Sequence, residues 1–150
     1  MDLSDIDSGR TATERMLDEQ GIRDACMRYW AGVDQRDPGL FASAFTAEAE
    51  ISLLGRAVKV TDLVRQGLDG GFIHSSHSLA SQSITLGRAG TASATSFAVA
   101  HLLAASGSIF VRGLRYDDAL VLVEGGWRIS RREHRTLWQY DVASVVPHIS

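Results

Sequence analysis

From Thr11 to Val33 the chain repeats apolar side chains at three- and four-residue steps. Ile22, Cys26, Tyr29, Trp30 and Val33 share one stripe, which predicts a long amphipathic helix. Asp34 lies one turn beyond Trp30, on the flank of that stripe near the helix end. Asp37-Pro38 predicts a second, short helix with Asp37 as N-cap and Pro38 in the first helical position, carrying Leu40, Phe41, Ala44 and Phe45. After Thr46 the pattern changes. Glu50–Leu54 and Ala57–Val60 read as short strands around Gly55-Arg56, and Thr61-Asp62 opens a further short helix that stops at Gly70-Gly71. Three long apolar-rich strands are predicted next, His77–Leu86, Thr91–Ala105 and Ser108–Val123, separated by glycine-containing turns. A last strand runs from Trp127 to about Trp138 after Glu124-Gly125-Gly126. Ala92–Ala105 also has helix-forming composition, and the flanking glycine turns favour the strand.

Helices first and a long meander afterwards predict an α+β fold. A sheet of this kind buries one face against the helices by curving around them. No repeat or linker interrupts the chain, so residues 1–150 are expected to form one domain behind a polar tail of about ten residues. The composition, 45% apolar and 22% charged, is that of an ordinary globular protein. A net charge of −3, with Lys59 the only lysine, argues against a general nucleic-acid partner. The acidic N-terminus has no apolar run and no segment approaches the roughly 20 apolar residues of a membrane span. A soluble, cytoplasmic protein with no membrane partner is expected. Cys26, the single cysteine, falls at helical spacing among apolar residues, where inert packing is the expected role.

Several segments, in order, resemble the SnoaL-like branch of the nuclear-transport-factor-2-like superfamily. Tyr29-Trp30-Ala-Gly-Val-Asp34-Gln-Arg-Asp37 closes the first helix, and Phe41-Ala-Ser-Ala-Phe45-Thr-Ala-Glu48-Ala leads into the first strand. His74-Ser-Ser-His77-Ser-Leu-Ala-Ser81 opens the central sheet, and Gly126-Trp127-Arg128-Ile129-Ser130-Arg131-Arg132 is similar to the last-strand signature. The resemblance covers roughly Glu14 to Tyr140 and is nearest to scytalone dehydratase, bile-acid 7α-dehydratase and hexachlorocyclohexane dehydrochlorinase. It implies a cone-shaped, curved half-barrel enclosing a deep pocket. It also implies a lyase that works through an Asp–His pair without metal or organic cofactor, in an oligomer, usually a trimer. By motif position Tyr29 and Asp34 match the helix residues of the bile-acid enzyme, and His74 matches its catalytic histidine. Aligned on the dehydrochlorinase instead, the register slips by one residue and His77 takes the place.

The chemistry is consistent with those residue types. Elimination beside a carbonyl needs a base near neutral pH, and a neutral imidazole supplies one. A carboxylate on the other ring nitrogen fixes the tautomer and stabilises the imidazolium. A tyrosine hydroxyl can donate to a developing enolate. Asp34, His74 and Tyr29 are therefore the expected catalytic group, with His77 as the alternative base or as a substrate contact, and Trp30 helping to shape the pocket. The histidine spacing lacks a further ligand in register, so no metal site is expected. In the last strand, if Trp127 and Ile129 point inward, strict alternation carries Arg131, Glu133 and Arg135 inward with them. Arg135 also lies within one residue of an arginine position in the bile-acid enzyme, making it a candidate for a substrate carboxylate or carbonyl. His101 reads as a buried structural histidine, His134 and His148 as surface residues, and Asp117 and Asp118 as polar strand-end residues. The leading expectation is a dehydratase-like lyase for a small hydrophobic, cyclic carbonyl compound. The alternatives are an isomerase or polyketide cyclase in the same pocket, or a non-catalytic binding or assembly module. The long apolar strands predict a homo-oligomer, for which the resemblance implies a trimer, with a dimer as the alternative.

Overall fold

A computed structural model of the chain describes residues 9–143. The long first helix, α1 (Ala12–Gln35), starts at a capping box. The Thr11 hydroxyl accepts from the Glu14 backbone N–H, and the Glu14 carboxylate accepts from the Thr11 N–H. The helix ends at Arg36, whose φ of 55° is left-handed and whose N–H returns to the Gly32 and Val33 carbonyls. Helix α2 (Pro38–Ser43) follows immediately, capped by the Asp37 side chain on the Leu40 N–H. The two helices meet at Gly32. A Cβ there would lie 2.5 Å from the Phe41 backbone nitrogen, so only glycine permits the approach.

Strands β1 (Phe45–Leu53) and β2 (Arg56–Lys59) form a hairpin, and helix α3 (Val60–Gln66) leads to the large sheet strands. These are β3 (Phe72–Leu86), β4 (Thr91–Ala104), β5 (Ile109–Val123) and β6 (Gly126–Val142). The six strands lie in one open, curved sheet in the order β2-β1-β6-β5-β4-β3. Every neighbouring pair is antiparallel except β1 and β6, which run parallel. The expected curved α+β architecture is therefore present. Ala92–Ala104 is a strand because its burial has a period of two: Ala92, Ala94, Ser96, Ala98, Ala100 and Leu102 turn inward. The small side chains of this row leave room above the sheet for α1. From α1, Ile22, Ala25, Cys26, Tyr29 and Trp30 fill that room and form the core with Phe41, Ile51, Tyr116, Leu120 and Ile129.

Two irregularities control which residues face the core. Leu120 pairs with Ile129 but Ala119 pairs with Arg131, which leaves Ser130 as an extra residue in β6. Gly113 pairs with Trp138 but Leu114 pairs with Thr136, which does the same at Leu137. Each bulge reverses the inward and outward sense of the residues beyond it. Arg132 and His134 therefore turn inward. The strict alternation expected for Arg131, Glu133 and Arg135 fails at Ser130.

Candidate active site

A cavity of about 250 Å³ opens between the end of α1, the loop after α3 and the inner face of β3, β4 and β5. Its wall is largely apolar, with Tyr29, Val33, Phe41, Leu63, Phe72 and Leu102 among the lining residues. Into this wall the fold sets Arg36, Asp69, Ser75, His77, Arg112 and His134.

Asp34 stands in the last turn of α1 and faces β3. Its Oδ1 accepts from His77 Nδ1 at 2.7 Å and from the Ser75 hydroxyl at 2.9 Å, while Oδ2 accepts from the His77 backbone N–H at 2.8 Å. With Asp34 on Nδ1, the Nε2 atom of His77 is the ring nitrogen left for the cavity. Burial by itself pushes the Asp34 carboxyl up. The hydrogen bonds from the His77 ring and backbone, its charge and the Ser75 hydroxyl outweigh burial, so the carboxyl is held below its ordinary value.

The expected pairing of Asp34 with His74 is corrected by strand geometry. β3 begins at Phe72, so both histidines lie within it, and no bulge separates them. Three residues apart in a strand means opposite faces. Ser75 and His77 turn toward Asp34, whereas His74 is exposed on the outer face.

Arg36 completes the arrangement. Its Nη1 donates to the Val33 carbonyl at 2.6 Å and to the Ser75 Oγ at 2.9 Å, and Nη2 donates to the Phe72 carbonyl at 3.1 Å. The end of α1 is thereby fastened to the start of β3, and Ser75 is oriented to donate to Asp34. Arg36 belongs to the segment after Asp34, but no pattern in the sequence says that its side chain folds back over β3.

The remaining candidates divide by face. Tyr29 lines the cavity, and burial raises its hydroxyl pKa, which keeps it a neutral donor. Trp30, expected at the pocket, instead packs in the core against Tyr116 at a centroid distance of 5.5 Å, because it follows Tyr29 on the helix and points to its other side. Arg135 is corrected as well: it is exposed on the outer face, where its Nη2 donates to Glu133 Oε1 at 2.7 Å. His101 is exposed rather than buried. His148 lies outside the described residues.

The bulge at Ser130 brings two further residues of β6 inward. His134, expected at the surface, lines the cavity beside Tyr116 at 5.0 Å between rings. Burial lowers its pKa to about 4, helped by the charges of Arg132, His77 and Arg112, so it is neutral at physiological pH. Arg132 is fully buried and clasps Asp118 through Nε–Oδ1 and Nη2–Oδ2 contacts of 2.7 Å each. Its guanidinium carbon lies 4.2 Å from the Tyr29 ring centroid and 4.5 Å from that of Tyr116. Burial works against this charge, but the Asp118 carboxylate outweighs it and the Arg132 pKa is raised. Asp118 is thus a core residue, not a strand-end one. Cys26 donates its thiol to Asp118 Oδ2 at 3.7 Å, and burial pushes its pKa up to about 12, consistent with inert packing. Among the described residues no group of three or more His, Cys, Asp or Glu side chains is placed to hold a metal ion, and no helix is long and apolar enough to cross a membrane.

An open curved sheet wrapped on N-terminal helices, with polar groups set into an apolar cavity between them, is the nuclear-transport-factor-2-like fold. Residues 14–133 match the SnoaL-like domain, and the chain belongs to that family. Solved structures agree on the fold. A candidate scytalone dehydratase of Novosphingobium aromaticivorans is 21% identical with a TM-score of 0.78, over 93% of this chain and 94% of that one. A hexachlorocyclohexane dehydrochlorinase of Novosphingobium barchaimii is 19% identical with a TM-score of 0.82, over 92% of this chain and 100% of that one. A nuclear-transport-factor-2-like protein of Salmonella enterica is 16% identical with a TM-score of 0.73, over 81% of this chain and 92% of that one. No curated protein matches the chain.

Proposed function

We propose that this protein is a cofactor-independent lyase of the dehydratase type, acting on a small hydrophobic, cyclic carbonyl compound. The observation that carries the reading is the 2.7 Å contact between Asp34 and His77 at the wall of an apolar cavity. A cavity filled by side chains would have favoured a binding or assembly module, whereas this one is open to a ligand. The dehydratase and dehydrochlorinase among the solved relatives add to the same reading.

In this mechanism His77 Nε2 takes the proton from the carbon beside the substrate carbonyl. The electron pair moves into the enolate, and the imidazolium formed is stabilised by Asp34. The enolate oxygen accepts from a neutral donor of the wall, Tyr29 Oη or a His134 N–H. The enolate then re-forms the carbonyl and expels the β-hydroxyl, which takes the proton from His77 and leaves as water. His77 returns to its neutral state, and no outside reactant is consumed.

A panel of cyclic β-hydroxy ketones tests the reading. The expected products are α,β-unsaturated ketones lighter by one water, seen by absorbance and mass. Exchange of the α-hydrogen in deuterated water should accompany turnover and vanish in His77→Gln. A shifted double bond or a new ring as product would instead mean an isomerase or a cyclase. Unimpaired exchange in both Asp34→Asn and His77→Gln would end the proposal. The proposed working unit is a homo-oligomer in the cytoplasm.

A further inference from the structure

The sheet register aligns three residues of three strands along the cavity wall. His77 on β3 stands opposite Ala100 on β4, and Ala100 stands opposite Arg112 on β5. Register partners project to the same face, and all three residues line the cavity. Adjacent strands lie about 4.8 Å apart, so His77 and Arg112 start about 10 Å apart in backbone. Only the Ala100 methyl stands between them. A larger residue there would close the gap.

Arg112 is held in place without being neutralised. Its Nε donates to Gln139 Oε1 at 2.6 Å, and its guanidinium carbon lies 5.5 Å from the centroid of the Phe72 ring, itself a cavity residue. Among the described residues no carboxylate pairs with it. Arg132 and Arg36, also inward, are engaged: Arg132 by Asp118, and Arg36 by the Val33 and Phe72 carbonyls and Ser75. Among the described residues the one acid lining the cavity, Asp69, accepts from the Gly71 backbone N–H in its own turn. The positive influence of Arg112 also reaches His134, one of the groups facing the same space.

We infer that Arg112 is the anchor for a carboxylate on the substrate, placed so that a rigid apolar ligand of one or two rings spans from its guanidinium to His77. A planar guanidinium with two unengaged amino groups takes a carboxylate in a bidentate fork, and a neutral isostere forfeits the charge-assisted part. Ala100 supplies the floor on which the ring lies. This inference rests on the reading of the cavity as the active site with His77 as its base, and it adds the substrate class: an apolar cyclic carbonyl compound that also carries a carboxylate.

Calorimetric titration with 2-naphthoate and its neutral isostere 2-naphthamide tests it without turnover. The intact protein is expected to bind the carboxylate about tenfold more tightly than the amide. Arg112→Gln should remove that preference, the carboxylate losing more affinity than the amide, and Arg112→Lys should restore part of it. The Asp34→Asn variant should keep the preference. Equal affinities in the intact protein, no binding of either ligand, or a preference that survives Arg112→Gln and disappears in Arg36→Gln would each overturn the assignment. Because the measurement is of binding, a failure of the acid–base reading shows separately, as unimpaired hydrogen exchange in Asp34→Asn and His77→Gln.

Discussion

Asp34 holds His77 twice: one carboxylate oxygen takes the ring Nδ1–H at 2.7 Å and the other takes the backbone N–H of the same residue at 2.8 Å. Ring and backbone are thus referenced to a single carboxylate, which leaves the imidazole little freedom to rotate or to change tautomer. The expected consequence is that Asp34→Asn lowers kcat by about 10²- to 10⁴-fold, because the amide can present N–H toward Nδ1 and stabilise the wrong tautomer. KM should change little. Steady-state kinetics on a substrate from the β-hydroxy ketone panel separates the two parameters. The Asp34 carboxyl lies below its ordinary value in the native state, so its contribution to stability is complete above the unfolded value and is lost only as the pH falls through the native one. Asp34 should therefore not set the acid limb of the activity profile near neutrality.

Arg36 acts on Asp34 through Ser75. Ser75→Ala removes one of the three hydrogen bonds to the carboxylate and should reduce kcat modestly, by about three- to tenfold, with the fold intact. Arg36→Ala removes contacts to two carbonyls as well and should also lower the melting temperature. Arg36→Lys should not rescue it, since one ammonium cannot reproduce the fork that spans Val33, Phe72 and Ser75. Kinetics and thermal denaturation of the three variants check this order.

His134 makes stability depend on pH. Its native pKa of about 4 is below the unfolded value, so the unfolded chain takes up a proton first as the pH falls. Stability should therefore decline from about pH 6.5 toward pH 4, with this residue contributing a slope of up to about 1.4 kcal/mol per pH unit. Urea denaturation at several pH values should show that part of the slope missing in His134→Gln.

The Arg132–Asp118 pair is fully buried, and the cost of breaking it is asymmetric. Asp118→Ala leaves the guanidinium charged among Tyr29, Tyr116 and Trp30 and should destabilise by about 3–5 kcal/mol. Replacing both, as Asp118→Leu with Arg132→Met, should recover most of the loss, because the two desolvated charges disappear together. Chemical denaturation midpoints report the comparison.

On the proposed homo-oligomer, the outer face of the sheet is the surface a second copy would cover. Trp138 and Tyr140 stack there at 6.1 Å between centroids, and each is about half exposed, at 48% and 55%. Light scattering should give a mass of more than one chain, and Trp138→Ser with Tyr140→Ser should shift it toward the monomer. A monomeric intact protein would remove the expectation.

What the chain determines by itself is local. The Thr11 capping box, the Asp37-Pro38 start and the stripe from Ile22 to Val33 are signals read within one or two turns, and they place Asp34 at a helix end beside the core. The glycine turns delimit the strands for the same reason, and the ordered motifs around Asp34, the histidine pair and Trp127 point to the family. The partner of Asp34 is different in kind. His74 and His77 differ only in strand parity, and parity follows from where β3 begins and pairs with β4. Likewise Arg135 and His134 exchange places because of one extra residue at Ser130, a bulge that exists only where β6 meets β5. The row His77–Ala100–Arg112 joins residues from three strands and has no trace in any local pattern. Hydrogen-bond register between distant segments settles those facings, and register is a property of the assembled sheet.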